Sequence, residues 1–139
     1  MVNPANSTQH TALADRSRVL DRAECHQLLS ERGWGVVSVT EVADARPYAV
    51  PVAYAFDGED IYIAMRRGRK LRALEMYPGL CLTVLDVTHV GKWRSVLVIG
   101  KARWLTDAAD RARAIRAFVR QQGVGDAMTP IDAARFVGA

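Results

Sequence analysis

The sequence predicts a mainly β domain: an antiparallel barrel, closed or half-closed, with helices on its flanks. Two observations carry this. Apolar residues alternate with a period of two through several short segments between residues 34 and 105, and Asp57-Gly58 separates two of them as a hairpin turn would. Only one helical pattern interrupts this run, so hairpins rather than repeated strand–helix–strand crossovers connect the strands.

Residues 1–18 are polar and without periodicity, and are expected to form a flexible arm before a single domain at 19–139. Asp21 and Glu24 stand at capping-box spacing and open a helix that runs to about Arg32, with Ala23, Leu28 and Leu29 toward the core. Gly33 ends it. Strands follow at 34–42 and 47–56, the second placing Val50, Val52, Tyr54 and Phe56 on one face. Pro51 lies inside that strand, which therefore needs an edge or a bulge where the missing N–H does no harm. Residues 61–65 return as a third strand, and a helix at 69–77 stops at Pro78-Gly79. A buried strand at 80–87, a loop at 89–92 and a long strand at 93–105 with a bend at Gly100 come next. Thr106 caps a helix at 107–121 whose stripe is Ala112, Ile115 and Val119, and a loop at 123–129 leads to a short helix near 130–136.

The composition is that of an ordinary globular domain: 139 residues, half hydrophobic and 24% charged. The net charge of +4 is local. Arg66, Arg67, Arg69, Lys70 and Arg72 lie within seven residues, and without them 14 basic residues face 15 acidic ones. One cluster favours a confined anion site over a nucleic-acid footprint. Cys25 and Cys81 lack metal-ligand spacing and read as reduced, half-buried thiols of a cytoplasmic protein. No signal peptide and no apolar run near ~20 residues is apparent, so no membrane span is expected. His10, His26 and His89 lack ligand spacing, so no metal site is expected, and no nucleophile elbow or triad pattern occurs. Any redox chemistry must therefore come from a cofactor.

The informative segment is residues 61–78, IYIAMRRGRKLRALEMYP. A strand delivers a basic turn, a glycine, and a helix whose first turn holds Arg69 and Lys70. Helix N-termini present N–H groups without intrahelical partners and the positive end of the dipole, which suits phosphate. Gly68 lets the backbone approach, and Arg69 can grip two oxygens at once. From the residues alone, a solvated basic helix start stands beside the phosphate reading. The strand face carrying Trp93, Val96, Val98 and Trp104 offers more apolar area than a short chain readily covers, which predicts a homodimer.

Four stretches together resemble the pyridoxamine-phosphate-oxidase-like FMN-binding split barrels, and most nearly their 5-nitroimidazole-resistance branch. They are YAVPVAY (48–54), IYIAMRRGRK (61–70), LRALEMYPGLCLTV (71–84) and GKWRSVLVIGKARWL (91–105). The resemblance implies an antiparallel split β-barrel and a flavin-dependent oxidoreductase acting on a small molecule, with FMN as cofactor; its catalytic residues are not indicated. Deazaflavin or haem is the alternative ligand, and a non-catalytic flavin- or haem-binding protein the alternative role. It further implies that Gly68, Arg69 and Lys70 hold the phosphate, that Val50, Pro51 and Val52 flank the ring through their backbone, and that Ile63 and Ala64 line the ribityl side. Trp93, Ser95 and Val96 would come from the second subunit of a dimer. This chain lacks the histidine that relatives carry near Ile63–Ala64 and the Arg-x-His of true pyridoxamine-phosphate oxidases. It also ends at Ala139, where the resemblance expects a closing strand after AARFVGA.

Overall fold

The computed structural model describes residues 18–123 and the backbone of 133–138. Six strands form a closed antiparallel barrel in the order β1-β2-β3-β6-β5-β4: β1 Trp34–Glu41, β2 Arg46–Phe56, β3 Ile61–Ala64, β4 Gly79–His89, β5 Lys92–Trp104 and β6 Ala133–Gly138. Among the described residues three helices complete it: α1 Arg22–Glu31, α2 Arg69–Met76 and α3 Ala108–Gln122. This is the antiparallel split β-barrel, mainly β with flanking helices, that the sequence predicts.

The period-two pattern sorts each strand into an inner and an outer face. Val37 and Val39 of β1, Val52 and Tyr54 of β2, Ile61 and Ile63 of β3, Leu80, Leu82 and Val84 of β4 and Val96 of β5 fill the barrel. Leu28 and Leu29 of α1 and Ala73 and Leu74 of α2 join the same core, so a helix stoppers each end. A second, smaller core lies outside the barrel wall. There α3 sets Ala114, Ala117 and Phe118 against Ala55 of β2 and Tyr62 of β3.

The caps follow the local sequence. Glu24 N–H donates to Asp21 Oδ1 at 2.8 Å and Asp21 N–H to Glu24 Oε2 at 2.9 Å, the expected capping box. Asp107, not Thr106, caps α3 by accepting from Ala109 N–H at 2.8 Å, and Gly123 closes that helix at φ 68°. The α3 stripe is also rotated from expectation. Small residues let the helix lie close on the sheet, so Ala114 and Ala117 are buried while Val119 stays 46% exposed. On α1, Ala23 faces solvent, and Cys25, with Leu20 just before the helix, packs against the core in its place.

Two expectations for the C-terminal residues are overturned. Residues 133–136 belong to a strand, not to a short helix, and the barrel does not lack its closing strand. β6 is that strand: Ile61 pairs with Phe136 on one side, and Trp104 with Ala134 on the other. Of the expected arm, residues 1–17 and the loop at 124–129 lie outside the described residues. Arg18 is described, and it pairs with Glu24 at 2.5 Å.

Candidate functional site

The site begins with an interruption in the barrel wall. β2 pairs with β1 along nearly its whole length, from Ala53 opposite Trp34 to Arg46 opposite Glu41. Its pairing with β3 covers Tyr54, Ala55 and Phe56 alone. From Arg46 to Ala53, one edge of β2 therefore has no strand neighbour among the described residues. Tyr54 N–H donates to Gly33 C=O at 2.9 Å, toward β1. Alternation along the strand then aims the polar groups of Val52, Val50 and Tyr48 at β1, and those of Ala53, Pro51, Ala49 and Pro47 at the open edge. Both prolines sit where the missing N–H removes no ladder bond, which answers the requirement that Pro51 placed on this strand. The edge offers carbonyl oxygens at Pro47, Ala49 and Pro51 and N–H groups at Ala49 and Ala53.

At this end of the barrel β3 gives way to Met65–Arg67, and Gly68 stands at the N-cap of α2 without any side-chain cap. A Cβ built at Gly68 would meet nothing within 4 Å, so the turn is open to an incoming group. The N–H groups of Arg69, Lys70 and Leu71 have no intrahelical partner in such a turn, and no acidic residue occupies it. Arg69 reaches β2 within the stretch that pairs on one side only: its guanidinium lies over the Tyr48 ring, 4.6 Å from the centroid. It also forms a two-bond fork to the carboxylate of Glu41, Nε and Nη2 each donating to one oxygen. These bonds hold the Glu41 carboxyl below the usual range and raise Arg69 further above its own.

Two grooves lie at the two ends of α2, the first at the Gly68 turn and the second beside Tyr77 at the C-terminal end. One of about 530 Å³ is lined by Met65, Arg67, Gly68, Leu71, Arg72 and Trp104. The other, about 570 Å³, includes Ser38, Thr40, Pro47, Tyr77 and Cys81. Both sizes fall within the range usual for small-molecule sites.

The expected site residues divide into three groups. Gly68, Arg69 and Lys70 stand together at the turn. Val50, Val52 and Ile63 turn their side chains into the barrel core, and Pro51 lies on the open edge, its side chain exposed. Ala64 packs half-buried against the core beneath α3. Trp93, Ser95 and Val96 lie on β5, three strands from β2 in either direction around the barrel, so one chain does not bring them to the turn.

Nor do the β5 residues share a face. Val96, Val98 and Trp104 face the core, whereas Trp93, Leu97 and Ile99 point outward, 57%, 60% and 68% exposed. The face expected to carry Trp93, Val96, Val98 and Trp104 is thus two faces, because alternation puts odd and even positions of β5 on opposite sides. The outer one continues across the barrel wall through Leu85 and Val87 of β4 to Trp34 and Val36 of β1, all exposed.

Glu41 and Tyr48 belong to the site and were not among the expected binding residues. Tyr48 opens the YAVPVAY stretch, so the strand was found without its aromatic ring. Glu41 is separated from Arg69 by 28 positions, and nothing in the spacing announces the pair. Only the register, with Glu41 opposite Arg46, places it beside α2.

A profile of the pyridoxamine 5'-phosphate oxidase family matches residues 21–135, most of the chain. The chain belongs to this family. An uncharacterised protein of Rhizobium meliloti is 30% identical over 90 residues, which cover 60% of this chain and 54% of the relative. The match thus spans about half the length of that relative. Among solved structures, an FAD-binding protein of Mesorhizobium loti is 23% identical, with a TM-score of 0.70 over 87% of this chain and 90% of the other. A candidate 5-nitroimidazole antibiotic resistance protein of Bacteroides thetaiotaomicron is 16% identical, with a TM-score of 0.71 over 86% and 81%. The haem-storage protein HutZ of Vibrio cholerae is 12% identical, with a TM-score of 0.68 over 85% and 89%. At these identities the likeness is one of fold, and that fold serves flavin and haem proteins alike. Among the described residues no helix is long and apolar enough to cross a membrane.

Proposed function

We propose that this family member binds FMN at the open edge of β2 and uses it as an oxidoreductase on a small molecule. One observation carries the reading: Arg69, in the uncapped first turn of α2, lies against the unpaired stretch of β2, so a phosphate site and a backbone edge adjoin. The residues fit the cofactor. The edge offers the carbonyls of Pro47, Ala49 and Pro51 and the N–H groups of Ala49 and Ala53 to the polar rim of a flavin ring, and the turn supplies cations and N–H groups for the phosphate. The flavin supplies the electron chemistry when bound, and the protein supplies orientation and charge.

The reading includes a homodimer. The outer face of β1, β4 and β5, with Trp34, Leu85, Trp93, Leu97 and Ile99 exposed, is the surface that a second copy would cover, carrying Trp93 and Ser95 to the partner. It also places the protein in the cytoplasm, since the half-buried thiols of Cys25 and Cys81 are free. Storage of a flavin or haem without turnover is the second reading. It is favoured by the edge itself, where the prolines and alanines of β2 bring no acid or base of their own.

The absorbance spectrum of the purified protein tests the ligand. An oxidised-flavin spectrum is expected, and a deazaflavin or haem spectrum would overturn FMN. Reduction of the bound flavin by a reduced nicotinamide, followed by transfer to an acceptor, separates turnover from storage.

A further inference from the structure

We infer that Glu41 is a positioning residue for the phosphate site: it holds the Arg69 guanidinium in the ligand-free protein so that the arginine's remaining N–H edge is ready for an anion. This deepens the FMN reading and rests on it.

The geometry of the fork is the first support. Glu41 takes Nε and one proton of Nη2, the side-on edge of the guanidinium. A guanidinium carries five N–H donors in one plane. Nη1 and the second Nη2 proton make no hydrogen bond among the described residues. The end-on edge, where a phosphate can also be gripped by two bonds, is thus left unused.

Restraint is the second. Glu41 is the last residue of β1, fixed by its register opposite Arg46, and its side chain is only 17% exposed against 52% for Arg69. The better-ordered partner therefore holds the longer one. Tyr48 lies under the guanidinium face while Glu41 fixes its rotation within the plane. An arginine in water would have to freeze several rotors on meeting a phosphate, and here most of that ordering precedes binding. The opposing effect is repulsion between the Glu41 carboxylate and the bound phosphate. It acts across the width of the guanidinium, at the protein surface, where water screens it.

FMN and riboflavin titrations of the wild type, Glu41→Ala, Glu41→Gln, Arg69→Ala and the Glu41→Ala/Arg69→Ala double variant test this. Glu41→Ala should weaken FMN roughly ten-fold, by releasing Arg69, and leave riboflavin unchanged. Glu41→Gln, which keeps one acceptor oxygen, should lose less. The double variant should bind FMN as Arg69→Ala does, because Glu41 acts only through Arg69. Tighter or unchanged FMN binding in Glu41→Ala would overturn the inference, and so would an equal loss for both flavins, which marks a collapsed site. If the wild type prefers FMN while Glu41→Ala is silent, only the role of Glu41 falls. If the wild type binds both flavins equally, the phosphate reading falls with it.

Discussion

The Tyr54 hydroxyl, buried inside the barrel, donates to the Leu29 carbonyl at 2.8 Å and ties β2 to the last turn of α1. Burial raises the phenol above its ordinary range, so it stays a donor at any working pH. Gln121 of α3 donates to the same carbonyl at 2.8 Å and accepts from Phe56 N–H at 2.7 Å. Tyr54→Phe should therefore cost about 1 kcal/mol, since Leu29 keeps one partner. Gln121→Leu should cost more, about 2 kcal/mol, because Phe56 N–H loses this acceptor. Thermal melts of the two variants check the order, and a reversed order would sink it.

The basic turn at Gly68 makes its own prediction. Arg69→Ala should weaken FMN binding by about 1.5–3 kcal/mol, the range for hydrogen bonds to charged groups. Arg66→Ala, an exposed cation before the turn, should cost under ~1 kcal/mol. Flavin-fluorescence titration reads both, and equal losses would reduce the cluster to surface charge.

The outer face predicts an assembly. The protein should sediment as a dimer burying on the order of 1,600 Å². Leu97→Glu, at a position 60% exposed in one chain, should yield a folded monomer with weakened flavin binding. A wild type that scatters light as a monomer at micromolar concentration defeats the dimer.

Acid should act at the start of α1. The Arg18 guanidinium and the Asp21 N–H hold the Glu24 carboxyl down at about 2, from an ordinary value of 4.5. A carboxyl depressed in the folded state stabilises it fully above 4.5 and loses that contribution as pH falls toward about 2. The melting temperature of Glu24→Gln should lie below that of the wild type at neutral pH and converge with it across that window. A constant offset would show that the capping geometry, not the charge, matters.

Truncation before residue 133 removes β6, opens the barrel, and leaves β3 with β2 alone and β5 with β4 alone. The cost should exceed ~5 kcal/mol, comparable with the whole stability of a small domain. Circular dichroism should find no cooperative melt, and a transition within a few degrees of the intact chain would refute this.

What the sequence made legible was local. The Asp21–Glu24 box, the inward set Val50, Val52, Tyr54 and Phe56, and the basic turn at Gly68 are each written within a few neighbouring residues. The misses are tertiary. β6 is a short stretch whose identity as a strand comes from the two edges that receive it, and the face of α3 was set by how closely alanines let it approach Tyr62. Glu41 entered the site through strand register. Trp93 was grouped with Val96 by apolar character, although adjacent parity on a strand separates them.

The two prolines of β2 have a consequence beyond their fit to the barrel. A bare sheet margin is open to any stray extended chain, and such margins template aggregation. Pro47 and Pro51 face that margin without N–H groups, so of four successive outward positions only Ala49 and Ala53 can donate. An invading strand would find half its acceptors unmet along this stretch. A rigid planar ligand with few polar atoms needs no such continuous ladder. Such a backbone would admit the one and refuse the other.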